Sequence, residues 1–353
     1  MQGKNHDDAY YVEQDKRNIL KMREVLDTLP KFCRQYFRGI DDVTSARTKL
    51  GYAYDLRTFF QFLSENNRAL AGTPITEYPV SILDKITRED IEEYVEYISL
   101  YQKDDRELTN EEHGKARKLS ALRSLYSYFF KAEQIESNPT ALVNMPKMHE
   151  NAIIRLEPNE VAKMLDVVEE GDKLTKSQKK YHKINGIRDT ALITLLLGTG
   201  IRVSECVGLD LSDIDFGTNG LRIHRKGGYE AIVYFGDEVE EALRAYLTER
   251  ELITPLAGHE NALFLSMQNR RITVRAVENL VKKYAQNVTT LKKITPHKLR
   301  STYGTSLYQE TGDIYLVAAV LGHKDVNTTR KHYAAIDDQN RRMAANKVRL
   351  RKA

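Results

Sequence analysis

Apolar residues recur at three- and four-residue intervals through most of the chain, which predicts a mainly α-helical protein. Ile19, Met22 and Leu26 mark a helix over Asp15 to Leu29, ended by Pro30. Thr44 to Asn66 reads as a long amphipathic helix with Leu50, Tyr54, Phe59, Phe60 and Leu63 available for its buried stripe. Thr87, with Asp90 three residues on, can cap a helix whose apolar face is Ile91, Tyr94, Val95 and Ile98. An acidic loop is expected from Asp104 to Glu112. A helix built on Leu119, Leu122, Leu125, Tyr126, Phe129 and Phe130 follows it. Asn138-Pro139 breaks that helix, and periodicity is absent as far as Pro146-Lys147. A domain boundary between Asn144 and Ile154 is the expectation, giving units 1–148 and 149–353.

The second unit opens with a helix over Glu157 to Val168, with Pro158 at an early position. The polar stretch Glu169 to Asn185 reads as an exposed insertion, and Ala191 to Leu197 as a buried helix ending in a Gly-Thr-Gly turn. A further helix carries Arg202 and Glu205. Leu221–His224 and Glu230–Tyr234 alternate in strand fashion across R-K-G-G-Y, which predicts a β-hairpin with Lys226 beside its tip; Leu263 to Ser266 is a candidate third strand. Helices are expected over Val239–Leu252 and Thr273–Gln286. Pro296 suits a first helical turn, so His297 and Arg300 should share a face and look outward together. Gly312 can stop that helix, and Gly322 can close the apolar run Ile314–Leu321, placing His323 in a turn. Asn327 can cap a helix carrying Tyr333, and Asp337 to Ala353 has the composition of a basic helical tail. The fold expected is mainly α with a small antiparallel β-sheet, in two domains.

Composition narrows the class. Of 353 residues, 41% are hydrophobic and 29% charged, which suits a soluble globular protein rather than a disordered or membrane one. Cys33 and Cys206 lack metal-ligand spacing, so neither a disulfide nor a zinc site is expected and a reduced cytoplasmic setting fits. The polar segment Met1–Tyr10 does not read as a secretory signal, and the most apolar run is too short to span a bilayer. Charge is uneven: residues 1–150 hold 22 Lys and Arg against 25 Asp and Glu, and the remainder 32 against 25. A basic second half suits a polyanionic partner. Gly198 and Gly200 do not make a nucleotide loop, because the Lys-Ser/Thr of a P-loop is missing.

The most informative chemistry lies between Thr295 and Tyr333, where His297, Arg300, His323 and Tyr333 together offer two imidazoles, a guanidinium and a phenol, with no carboxylate among these four. Cationic donors stabilise the extra charge of a pentacoordinate phosphorus, and a tyrosine can attack it to form an ester. An arginine beside a tight glycine turn, here Arg202, can present its fork to two phosphate oxygens. Glu205 lies three residues along the same face and can orient it; an ordinary surface ion pair is the bland alternative.

The ordered set resembles the tyrosine recombinase (phage integrase) family. H-x-x-R at His297 and Arg300, L-G-H ending at His323, and the later Tyr333 resemble its C-terminal signature. T-G-I-R-V-S-E resembles the box supplying its first catalytic arginine, here Arg202, and Lys226 matches its hairpin lysine although Arg225 replaces the usual preceding glycine. G-Y-x-x-D-L-R-T-F-F-Q-F-L resembles its core-binding domain, and the resemblance extends over about residues 44 to 345. The organisation is most similar to Xer-type recombinases and mobile-element integrases. Tyr333 stands ten residues after His323, one more than the commonest family pattern, and His332 occupies the ninth place.

What the resemblance implies is a two-domain DNA clamp that exchanges strands by transesterification. Tyr333 would attack a scissile phosphate to give a 3′-phosphotyrosyl link, and the released 5′-hydroxyl would attack the partner strand. Arg202 and Arg300 would bind nonbridging oxygens with help from His297 and His323, and Lys226 would protonate the leaving oxygen. Neither a metal nor ATP is implied, and the partners would be a two-armed duplex site and a homotetramer on two sites. Arg47, Lys49, Arg57, Lys115, Arg117, Lys118 and Arg123 are the candidate phosphate contacts of the N-terminal domain, against the alternative of a solvated helix face. A type IB topoisomerase-like enzyme, a non-catalytic DNA-binding regulator and a helical scaffold are the competing readings.

Overall fold

The computed structural model describes residues 9–70, 72–103, 106–149, 153–225, 229–323 and 325–326. The chain divides into two compact units, Met1–Asn151 and Ala152–Ala353.

Unit 1 is built from α1 (Ala9–Leu26), α2 (Cys33–Gly39), α3 (Ala46–Asn66), α4 (Arg88–Tyr97) and α5 (Glu112–Lys131). Ser45 Oγ caps α3 by accepting from Thr48 N, and Thr87 with Asp90 forms the reciprocal capping box of α4. The core is aromatic. Phe59 and Phe60 of α3, Tyr94 of α4 and Tyr126 and Phe129 of α5 are fully buried, with Phe59 and Tyr94 meeting edge to face at 5.0 Å. Two phenols of this core find acceptors, Tyr126 Oη donating to the Leu83 carbonyl at 3.1 Å and Tyr36 Oη to Ser124 Oγ at 2.8 Å, whereas Tyr78 Oη and Tyr94 Oη are buried without a hydrogen-bond partner among the described residues. Part of the expected acidic loop Asp104 to Glu112 is strand instead: β2 (Arg106–Thr109) pairs antiparallel with β1 (Leu100–Lys103). These strands are too short to show the alternation that marks a strand in sequence.

Unit 2 contains α6 (Pro158–Glu170), α7 (Lys176–Thr199), α8 (Val203–Gly208), β3 (Ile214–Asp215), β4 (Gly220–Arg225), β5 (Tyr229–Tyr234), α9 (Asp237–Glu251), α10 (Val274–Ala285), α11 (Pro296–Thr311) and α12 (Ile314–Leu321). The polar stretch Glu169 to Asn185 is mostly exposed, as expected, and is helical on both sides of a turn at 171–175. Gly171 closes α6 in the left-handed region at φ 64°, and Thr175 starts α7 through a capping box with Gln178. The exposed half of α7 is therefore continuous with its buried half. Gly198 lies inside α7, where a Cβ would overlap Val239, so its absence lets α7 and α9 approach closely.

The sheet order is β3-β4-β5, antiparallel throughout. Ile214–Asp215 is its third strand, whereas the expected strand over 263–266 contributes an isolated bridge between Leu265 and Arg271. Asp189, buried in α7, holds α10 in place: it accepts from Tyr284 Oη at 2.8 Å, Lys283 Nζ at 3.1 Å and Arg188 Nη2 at 2.6 Å. Such a carboxylate is tolerable in the core only because each oxygen has cationic or hydroxyl donors. Among the described residues, no helix is long and apolar enough to cross a membrane.

Candidate active site

Three glycine-closed or glycine-flanked helix ends meet in unit 2. α7 ends at Gly200 with φ 63°, α8 begins immediately after Arg202, and α12 ends at Gly322 with φ 61°. Left-handed backbone at both caps is the reason glycine occurs there.

Arg300, in the second turn of α11, joins two of these ends. Its Nη1 donates to the Gly200 carbonyl at 2.6 Å and its Nη2 to the Leu321 carbonyl. At 4% exposure it does not look outward beside His297 as the helical spacing suggests; His297 is exposed and Arg300 is directed into the unit. The three-residue separation leaves an offset of about 60 degrees on the helix, enough for one side chain to face solvent and the other to face the core.

Arg202 lies between the same ends. Its backbone N–H donates to Glu205 Oε2 at 2.7 Å and its Nη1 to Glu205 Oε1 at 2.8 Å, while Nη2 approaches the Gly322 carbonyl at 3.4 Å. Glu205 is 3% exposed and the Arg202 side chain 37%, so this is a guanidinium held from below by a buried carboxylate rather than a surface ion pair. One edge of the fork remains toward solvent. His323 follows Gly322, and its backbone N–H donates to the Ala318 carbonyl at 2.9 Å, which fixes the turn.

Arg225, at the end of β4, joins this cluster. Its Nη2 donates to the Val320 carbonyl at 2.8 Å and its Nη1 to that of Ala319 at 3.5 Å. Burial lowers its pKa, with the Glu205 carboxylate opposing the shift and Arg202 adding to it. The last carbonyls of α12 thus receive Arg202, Arg225 and Arg300, which complements the negative end of the helix dipole. The resemblance had not assigned Arg225 a role, and its partners lie about 95 residues away, beyond the reach of local patterns.

Lys226 and Tyr333, together with His332, the Asn327 cap and the basic tail, lie outside the described residues. Other tyrosines near the motif have distinct surroundings. Tyr308 is buried, and burial raises the Tyr303 pKa, which keeps that phenol protonated. Tyr315 is 71% exposed on α12.

The N-terminal basic candidates differ among themselves. Lys49 and Lys118 are buried and turned to carboxylates: Lys49 pairs with Asp41, and Lys118 Nζ meets Asp55 Oδ1 at 3.0 Å. Arg123 donates to the carbonyls of Thr140 and Val143. These three are turned inward within unit 1, Lys49 and Lys118 buried and Arg123 partly buried, each held by carboxylate or carbonyl partners. Arg47 and Arg117 are exposed, although Arg117 also bonds Asp55; Lys115 and Arg57 are partly buried, with Arg57 5.1 Å from the Tyr54 ring centre.

Two guanidinium groups rigidly bracketed by glycine turns, one of them underpinned by a buried glutamate, define a site for anionic transition states such as those of phosphoryl transfer. Residues 154–340 match the model of the phage integrase family. A tyrosine recombinase XerC from Caldanaerobacter subterraneus subsp. tengcongensis is 31% identical, with 94% of this chain and 90% of the relative covered. A tyrosine recombinase XerS from Streptococcus agalactiae is 30% identical, with 92% and 98% covered. Among solved structures, XerH site-specific recombinase bound to palindromic difH substrate has a TM-score of 0.63 at 22% identity, covering 85% of this chain and 80% of that one. The Tn1549 transposon integrase in complex with circular intermediate DNA has a TM-score of 0.61 at 22% identity, covering 85% and 94%. The fold is therefore that of the tyrosine recombinases. The chain belongs to the phage integrase family and is a site-specific tyrosine recombinase; the topoisomerase-like and non-catalytic alternatives are not favoured.

Proposed function

We propose that the chain cuts and rejoins duplex DNA through a 3′-phosphotyrosyl intermediate on Tyr333. The Tyr333 oxygen attacks the scissile phosphorus, the bond to the 5′-oxygen breaks, and the Lys226 ammonium gives that oxygen its proton. An unperturbed phenol has a pKa of about 10, so His297 and the cationic surroundings assist loss of the tyrosine proton. Arg202 and Arg300 bind the nonbridging oxygens, with His323 beside them. Each guanidinium has five N–H donors, and backbone and Glu205 contacts use part of that number. The observation carrying this reading is the convergence of Arg202 and Arg300 on the Gly200 and Leu321–Gly322 turns.

The partner in this reading is a two-armed duplex site, gripped by residues 1–148 as the core-binding domain and 149–353 as the catalytic domain. A homotetramer brings two sites together in the cytoplasm, in chromosome-dimer resolution or in movement of an element. Ala344, Ala345, Val348 and Leu350 of the basic tail would dock on a neighbouring protomer. Deleting residues after Asn340 should then preserve single-site binding and reduce two-site assembly on a native gel. The reaction itself is tested by incubating the protein with two copies of its selected site: recombinant products are expected. Relaxation of supercoils without exchanged partners would replace the proposal with a topoisomerase-like one.

A further inference from the structure

We infer that Arg225 is a positioning residue that anchors the end of β4, the strand immediately preceding Lys226 in sequence, to the Gly322 turn. Its side chain is the link on β4 that grips the last turn of α12, donating to Val320 O at 2.8 Å and Ala319 O at 3.5 Å. Arg225 pairs with Tyr229 as the final register pair of β4 and β5. Its backbone is thereby held by the sheet while its guanidinium is held by the helix. Lys226 is the next residue, joined by a planar peptide, so whatever fixes the Arg225 backbone restricts where the lysine side chain can begin.

The contact is closely fitted. A Cβ on Gly322 would overlap Nη1, Cζ and Nε of Arg225, so glycine there serves both the left-handed backbone and the guanidinium's seat. Arg225 Nε is buried without a hydrogen-bond partner among the described residues, an arrangement sustained because the two Nη donors meet helix-end carbonyls. Arg202 and Arg300 grip the same turn from the α7 and α11 sides. The third arginine adds the hairpin to that bracket, so the general acid and the phosphate-binding arginines would share one reference point. A lysine at position 225 keeps a cation but loses the fork that spans two carbonyls.

This inference rests on the reading of Lys226 as the general acid, and its test separates the two. A duplex site is selected from a random-sequence pool with the full-length protein, and the wild-type cleavage position is mapped. Nicked versions are then made with either the normal 5′-bridging oxygen or a 5′-bridging sulfur at that position, whose thiolate leaves without a proton. Arg225→Ala should slow covalent-complex formation on the oxygen substrate by roughly 10-fold, less than the about 10²- to 10⁴-fold expected for loss of the general acid itself. The sulfur substrate should bring it back to within a few-fold of wild type, as it should for Lys226→Ala. Arg225→Lys should fall between, and it serves as the readout if the alanine variant does not fold. Equal slowing on both substrates, or no slowing on either, overturns the inference for Arg225 while leaving the function intact. Wild-type protein that forms no covalent complex with either substrate overturns the function itself, and the inference with it.

Discussion

The Arg300 guanidinium donates to the Gly200 carbonyl and to the Leu321 carbonyl at once, so a single side chain ties the end of α7 to the end of α12. An ammonium can reach one of these carbonyls but not span both. Arg300→Lys should therefore lower thermal stability, since an orphaned buried carbonyl costs about 1–3 kcal/mol, and should reduce cleavage at saturating DNA. Differential scanning and single-turnover trapping read the two effects. An unchanged melting temperature would show that the bracket contributes nothing to the fold.

Glu205 positions Arg202 through both the backbone N–H and the guanidinium. Glu205→Gln keeps the volume but offers one acceptor oxygen where the carboxylate offers two. The expected result is a cleavage rate lower by roughly 10-fold, on the scale of one charge-assisted hydrogen bond, with DNA affinity nearly unchanged. Equal losses in rate and affinity would place Glu205 in general folding rather than in holding Arg202.

Much of this arrangement was legible because it is local. Pro296, Gly312 and Gly322 mark ends of α11 and α12 in the sequence, since a first-turn proline and left-handed glycines have few other uses. The first half of α7 was not recognised because an exposed helix has no apolar stripe; its signal was the Thr175–Gln178 capping box. Burial of Lys118 depends on Asp55, 63 residues away, and the seat of Arg225 depends on α12. No local pattern reports a partner at that separation, so these two basic residues looked like any others on a helix or a hairpin.

Lys118 and Arg47 should separate cleanly on mutation. Lys118→Met removes a buried partner of Asp55, whose carboxyl pKa is raised by burial against the lowering pull of Lys118 and Arg117. Because Arg117 remains, the expected loss is about 1–3 kcal/mol, less than the ~3–5 kcal/mol of a fully broken buried pair. A carboxyl with a raised folded pKa binds its proton more tightly when folded, so stability falls as pH rises through that pKa. The Lys118→Met deficit should accordingly be largest near neutrality and shrink in acid. Arg47→Ala should leave stability unchanged and weaken DNA binding. A Lys118→Met deficit that grows in acid would contradict the assigned pairing.

If both units contact phosphate, affinity should fall steeply with salt through counterion release, by about one power of salt concentration per contact. A fragment beginning at Ile154 should bind more weakly and with a shallower slope than the whole chain, as measured by fluorescence anisotropy across a salt series. Equal slopes would remove unit 1 from the DNA-binding surface.

Tyr333, proposed as the nucleophile, stands one residue beyond the commonest spacing from His323, with His332 in the ninth place. In the helix that the sequence predicts after Asn327, one step would turn a side chain by about 100 degrees, so the two neighbours would not substitute for each other. The most direct measurement is peptide mapping of the covalent adduct trapped on a nicked duplex. The expected result is an acid-stable phosphotyrosine at Tyr333 that is lost in Tyr333→Phe and persists in His332→Ala. An acid-labile adduct on His332, or an adduct on the exposed Tyr315, would contradict it.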